Sequence, residues 1–204
     1  MNPTDPRGIE DALEEGEFQE TLPYRKLTDG KALIHSGPLY VLRNTRIPSI
    51  LIESFFMSNA LDMRYFSDLR NLGSFSRSCA EGVYDYASKN NTRNIVLAVG
   101  HGKHDCGAIG RLDGKEYYEN EFNRQIVGVM AAGLRQKGYH VEVLDYEGSG
   151  EGMQKRRLNA YVAATNKYSS ADFVFVSLHC SAAKNPNACG TRQGIRPRPS
   201  IGEP

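Results

Sequence analysis

Long hydrophobic runs are missing from this 204-residue chain, and no stretch approaches the ~20 consecutive apolar residues of a bilayer-spanning helix. Charge of one sign is missing too. The 25 Lys and Arg nearly cancel the 24 Asp and Glu, and a net charge of +1 makes no electrostatic case for nucleic acid or an anionic membrane as the main partner. Cysteine is scarce: four in a chain of this length do not make a disulfide scaffold. The opening residues, Met1-Asn-Pro-Thr-Asp-Pro-Arg-Gly8, lack the basic and apolar regions of a secretory signal. No Gly-x-Gly-x-x-Gly occurs, and a His occupies the turn of the Gly-rich stretch 100–110, so a nucleotide-binding reading is weak. No internal repeat is visible. What remains is an ordinary soluble composition, of a size for which one domain with a sizeable core is the default.

The expected elements are these. Residues 1–36 form a polar lead segment, acidic from Glu10 to Glu20, and Gly37-Pro38 punctuates. Leu39-Tyr-Val-Leu42 reads as a short strand, and the run from Pro48 to Phe56 as a buried one. Ser58-Asn59 is an N-cap signal for a short helix over 60–68. Phe75, Cys79, Val83, Tyr84 and Ala87 share one face of an amphipathic helix over 74–88. Strands over 94–100, 139–145 and 172–178 alternate with helices over 119–137 and 154–167, with Gly-rich loops between. That alternation predicts an α/β fold in three layers, a mostly parallel twisted sheet with helices on both faces. The tail from Asn185, with Pro186, Pro197, Pro199 and Pro204, reads as irregular.

Three polar residues fall where apolar runs end. His101 follows Asn94-Ile-Val-Leu-Ala-Val-Gly100, His179 follows Asp172-Phe-Val-Phe-Val-Ser-Leu178, and Glu53 follows Pro48-Ser-Ile-Leu-Ile52. In open α/β sheets, ligands bind outside the carboxyl ends of the strands. Glu119 shares a helical stripe with Phe122, Asn123, Ile126 and Met130 and therefore points toward the core, where a lone carboxylate is costly and a metal is the simplest partner. Two histidines and a carboxylate make the protein half of a catalytic zinc site, and a spare carboxylate can serve as general base. Taken singly, each residue has a bland reading as a capped or hydrogen-bonded side chain; their convergence on one rim is what favours chemistry.

Four segments carry a resemblance. Asn94-Ile-Val-Leu-Ala-Val-Gly-His-Gly-Lys-His-Asp-Cys-Gly-Ala-Ile-Gly110 resembles the opening strand and first metal loop of zinc-dependent N-acetylmuramoyl-L-alanine amidases, the family of bacterial autolysins, sporulation amidases and phage endolysins. Glu119-Asn-Glu-Phe-Asn123 resembles its helical Glu ligand, Phe175-Val-Ser-Leu-His-Cys-Ser181 its second His motif, and the stretch from Leu39 to Asn59 its catalytic-Glu segment. The resemblance spans about 37–190, taken as a single catalytic domain, with 191–204 as a Pro-rich tail. It implies that His101, Glu119 and His179 hold Zn²⁺, that Glu53 is the catalytic base, and that Arg43 contacts substrate carboxylates or orients Glu53. An ordinary surface role for Arg43 is the alternative.

The order of segments departs from the family. The catalytic-Glu segment and last helix, here 37–89, normally follow the second His, whereas 94–190 corresponds to the normal beginning. The chain resembles a circular permutant, opened in an exposed loop and joined through the polar turn Lys89–Arg93. Ala98 stands where an acidic residue is usual, which predicts weaker support for the metal ligands, and Tyr161 stands where an Arg is common. Cys106, Cys180 and Cys189 replace Pro or small residues. Cys106 and Cys180 flank the ligands, as a disulfide, as competing thiolates or as buried small hydrophobes. His104 reads as loop, His35 and His140 as structural or solvent-facing, and Tyr117-Tyr118 as packing.

The implied reaction is hydrolysis of the amide between N-acetylmuramoyl and L-Ala in peptidoglycan, by a monomer acting on the cell wall, extracellular or periplasmic. With no signal in view, the chain is expected in the cytoplasm until release or export. A non-catalytic or regulatory peptidoglycan-binding module that keeps the fold is the main competitor, and a zinc peptidase on a similar scaffold is another.

Overall fold

Two apolar runs decide the centre of the fold. Ile95–Val99 and Val174–Leu178 are without exposure along their whole length, so each must be covered on both faces. The structure, a computed structural model, describes residues 34–35, 39–169 and 172–196, with backbone alone at 34–35 and 192–196. The strands are β1 (Ile34–His35), β2 (Ser49–Phe56), β3 (Asn94–Val99), β4 (Ile109–Leu112), β5 (Lys115–Tyr118), β6 (His140–Leu144), β7 (Phe173–Ser181) and β8 (Arg192–Arg196). The helices are α1 (Tyr40–Asn44), α2 (Ala60–Phe66), α3 (Leu69–Lys89), α4 (Glu119–Gln136) and α5 (Met153–Thr165).

The main sheet has the order β1-β8-β2-β7-β3-β6. Its β2, β7, β3 and β6 are mutually parallel, β8 runs antiparallel to β2, and β1 lies parallel to β8. On one face, α2, α3 and α4 bring Met63, Leu72, Val83, Ile126 and Met130 against Ile95, Leu97, Val174 and Val176. On the other, Val41 of α1 and Tyr161 of α5 meet Val96, Ala98 and Phe175. The expected three-layer α/β arrangement is therefore present. Phe55 anchors the larger layer, stacked on Phe66 at 4.2 Å and edge-on to Phe122 at 5.0 Å between ring centroids.

Local chemistry accounts for the helix starts. The Asn59 Oδ1 accepts from the amides of Leu61 and Asp62, so α2 begins where its cap signal predicts. The Asp68 carboxylate accepts from the Arg70 amide, which starts α3 at Leu69 rather than at 74. The turn after α3 is closed by the Thr92 amide donating to Ala87, and it feeds directly into β3.

Four expectations are corrected. Leu39–Leu42 contributes to a helix, not a strand. Four apolar residues suit one helical turn equally well, and bonds from the Arg43 amide to Leu39 and from the Thr45 amide to Val41 close it, with Val41 and Leu42 buried. The tail is not irregular throughout: Arg192–Arg196 form β8, held by register with β2 rather than by apolar pattern. The stretch 109–118 is a β-hairpin, β4–β5, turning at Asp113-Gly114 with φ of 50° and 78°. An Asp-Gly pair needing two positive φ values is a hairpin signal that the sequence displays. Finally, β2 and β7 run on past Glu53 and His179, so these two sit within strands, and His101 alone of the three follows its strand. The lead segment 1–33, with its acidic stretch, and 197–204 lie outside the described residues, as do the side chain of His35 and the punctuation at Gly37-Pro38.

Candidate active site

The loop that leaves β3 is shaped by close backbone approaches. A Cβ at Gly100 would lie 2.3 Å from the Leu178 carbonyl oxygen and 2.7 Å from the His179 ring, so only glycine lets the chain leave β3 this close to β7. His101 then takes a positive φ of 69°, uncommon for a residue with a side chain. Its carbonyl accepts from the Arg157 guanidinium at 2.7 Å, which holds that conformation. Gly107 returns the loop to the site with φ of 66°, and a Cβ there would fall 2.5 Å from Glu119 Oε2 and 2.7 Å from the His101 ring.

The first turn of α4 receives the loop. Tyr118 at its N-cap offers no side-chain bond; instead the Ala108 and Cys106 carbonyls accept from the amides of Glu119 and Asn120. The Asn120 amide group reaches Gly102 O, and that of Asn123 reaches Gly100 O. Glu119 is thereby driven inward, only 3 % exposed. Its Oε2 accepts from the Ala108 amide at 2.9 Å and lies 3.0 Å from His101 Nε2. Its Oε1 accepts from the Cys180 amide at 3.0 Å and lies 3.1 Å from His179 Nδ1. The two imidazoles meet edge-on, with centroids 5.1 Å apart.

Electrostatics follow from this crowding. Burial pushes the Glu119 carboxyl up, but hydrogen bonds and attraction from His101 and His179 outweigh it and hold the group well below the usual carboxylate range. Burial likewise pushes the His101 imidazole down, while Glu119 and Asp105 pull harder and leave it above its ordinary value. Burial raises Asp105 too, yet Arg157 and His101 bring it down to about 2.

One donor atom each from His101, Glu119 and His179 lies within 4.8 Å of the others. Bonds of roughly 2.0–2.2 Å from two imidazoles and a carboxylate to a tetrahedral cation need donors about 3.4 Å apart, a spacing this cluster already approaches. The donor set, with its buried carboxylate, fits such an ion.

Glu53 enters from β2. It is the Cα partner of His179 in the parallel β2–β7 pair, and the register breaks immediately after it. Its Oε2 accepts from the Ser181 hydroxyl at 3.0 Å. Arg43 is exposed on α1, one residue before Asn44, whose carbonyl accepts from Asn166 at the C-terminal end of α5. His104 and His140 are exposed. All four cysteines are free; Cys180 is buried, its thiol pushed far up by desolvation, whereas Cys106 and Cys189 are exposed rather than buried.

Three further residues of the site carry little signal in the sequence. Asp105 binds His101 Nδ1 at 2.9 Å, supplying the support that Ala98 lacks. Arg157, within the run Lys155-Arg156-Arg157 that resembles a solvated face, is buried against it at 2.7 Å. Ser181 orients Glu53. Only the i, i+4 spacing of His101 and Asp105 was a readable hint.

No curated protein and no solved structure matches the chain significantly. A family model described as N-acetylmuramoyl-L-alanine amidase matches residues 14–85 and 95–196, which include Glu53, His101, Glu119 and His179. With most of its length matched, the chain belongs to the N-acetylmuramoyl-L-alanine amidase family.

Proposed function

We propose that this protein is a zinc-dependent hydrolase that cleaves the amide between N-acetylmuramoyl and L-Ala in peptidoglycan, acting on the cell wall as a monomer. The observation that carries the reading is the convergence of His101, Glu119 and His179 around a buried carboxylate, with Glu53 beside them. A carboxylate this desolvated needs a cationic partner, and a divalent cation shared with two neutral imidazoles would supply one. Bound zinc would polarise the scissile carbonyl and acidify a water molecule.

The chain's own groups do the rest. His101, Glu119 and His179 hold the ion from a loop, a helix and a strand. Glu53 accepts the proton from water and returns it to the leaving amine of L-Ala. Ser181 holds Glu53 Oε2 so that the carboxylate keeps one orientation. Asp105 fixes the ring of His101 through Nδ1. Arg43 is assigned a contact with substrate carboxylates or a part in orienting Glu53. A non-catalytic module is less favoured, since Glu53 is retained and oriented.

The same reading takes the chain as a circular permutant. Support comes from the tight join of α3 to β3 and from the break in the family match, which falls at 86–94 across that join. Proteolytic nicking engineered at Asn90-Asn91 should then leave fold and metal binding intact; loss of both would refute it.

The decisive experiment measures zinc content and muramoyl-peptide amide cleavage on the same preparations of wild type and Glu53→Ala. One zinc in each, with cleavage in wild type alone, supports the mechanism. Zinc without cleavage in wild type favours the binding module, and absence of zinc removes the metal assignment.

A further inference from the structure

Arg157 has an unusual position for an arginine on a helix. Its side chain is 3 % exposed, and Nη1 stands 2.7 Å from two acceptors at once, the Asp105 Oδ2 and the His101 carbonyl oxygen. A guanidinium so desolvated is costly unless it is paired, and here Nη1 is paired with the two sides of one histidine: its backbone directly, and its ring through Asp105. Asp105 also accepts from the Gly107 amide through Oδ1, at 3.1 Å, so the same carboxylate ties down the segment that abuts Glu119 Oε2.

We propose that Arg157 is a positioning residue for metal binding, setting through Asp105 the ring plane, and through the carbonyl the left-handed backbone, of His101. This rests on the reading of His101, Glu119 and His179 as metal ligands. Arg157 touches neither the ion nor the substrate; it acts through Asp105. Tyr161, one helical turn later on α5, provides an internal control. Its hydroxyl donates to the Val99 carbonyl at 2.7 Å and accepts from the Tyr146 amide, so it docks the same helix against the end of β3 and the stretch after β6, without touching Asp105. Loss of Tyr161 loosens the docking; loss of Arg157 also releases the ring.

The test is zinc affinity by chelator competition, alongside the melting temperature, for the full chain and for Arg157→Lys, Asp105→Asn, their double variant and Tyr161→Phe. A lysine keeps the charge but offers a point donor that does not bridge both acceptors. The expected result is zinc binding weakened about 10–100-fold in Arg157→Lys and in Asp105→Asn, the range for lost outer support of a ligand. The double variant should match the weaker single one within about twofold, because both lesions cut one chain of contacts. Tyr161→Phe should melt lower and bind zinc like wild type. Arg157→Lys binding zinc as tightly as wild type, or Tyr161→Phe losing as much affinity as Arg157→Lys, overturns the proposal. If Arg157→Lys does not fold, Asp105→Asn, which keeps Arg157 on the His101 carbonyl, decides: unchanged affinity overturns it. Wild type that binds no zinc defeats the metal reading itself, a failure distinct from these.

Discussion

The Glu53 carboxylate and the Ser181 hydroxyl meet at 3.0 Å across the β2–β7 pair, two residues beyond His179 on its strand. This bond gives the proposed general base a fixed orientation that a flexible acidic side chain would not have. Ser181→Ala removes one hydrogen bond, a net contribution of about 0.5–1.5 kcal/mol. If the bond matters chiefly in the transition state, kcat should fall about 2–12-fold while zinc affinity is kept. Unchanged kcat would show that Ser181 does not orient the base.

Gly107→Ala should disable the site without unfolding the protein. The new methyl must avoid Glu119 Oε2 at 2.5 Å and also accept a φ of 66°. Zinc affinity should drop about tenfold or more, as for other displaced ligand supports. Calorimetric titration checks this, and wild-type affinity would contradict the close approach.

The pH dependence should have opposite signs for the zinc-free protein and for the stabilisation that zinc adds. His101 lies above its ordinary 6.5 in the fold, so its contribution to stability is full below about pH 6.5 and is lost as pH rises through the folded value. Glu119 and Asp105 lie below their ordinary 4.5 and 3.8, so their contribution is present above those values and is lost as pH falls toward the folded ones. With zinc chelated, stability to denaturant should therefore peak between about pH 4.5 and 6.5. Zinc needs a neutral imidazole, so the stabilisation it adds should grow as pH rises past that window. Parallel denaturant titrations across pH test both signs; a zinc-free maximum at pH 8 would contradict the first.

Phe66→Ala should be among the most costly core substitutions, at about 3–5 kcal/mol. Phe66 is 4 % exposed, stacked on Phe55 and edge-on to Phe75 at 5.3 Å. It joins α2 to the layer beneath Glu53's strand. Equilibrium unfolding in urea measures the loss, and a change under about 1 kcal/mol would mean that the site collapses around the missing ring.

Much of the core was legible in the sequence because burial of a contiguous strand leaves a contiguous apolar run. Ile95–Val99, Val174–Leu178 and Ile50–Phe56 are of this kind, and they place the central strands correctly. The stripe Glu119, Phe122, Asn123, Ile126, Met130 identified the inward carboxylate for the same reason: all five are buried. The hairpin at Asp113-Gly114 went unread, because its signal lies in turn chemistry rather than in hydrophobic period.

By itself, then, the sequence determined the α/β class, the central strands and the residue types that could hold an ion, since each depends on local pattern. Tertiary structure alone decided the rest. Arg192–Arg196 become a strand because the backbone of β2 offers hydrogen bonds, a partnership that writes nothing into side-chain pattern. Leu39–Leu42 coil into α1 because Val41 has the Tyr161 cluster to pack against. Arg157 reads as one of three solvated cations until α5 docks and buries it between a carbonyl and a carboxylate 52 residues away in sequence. Contacts of that separation are decided by which surfaces meet on folding, and no window of local sequence contains both partners.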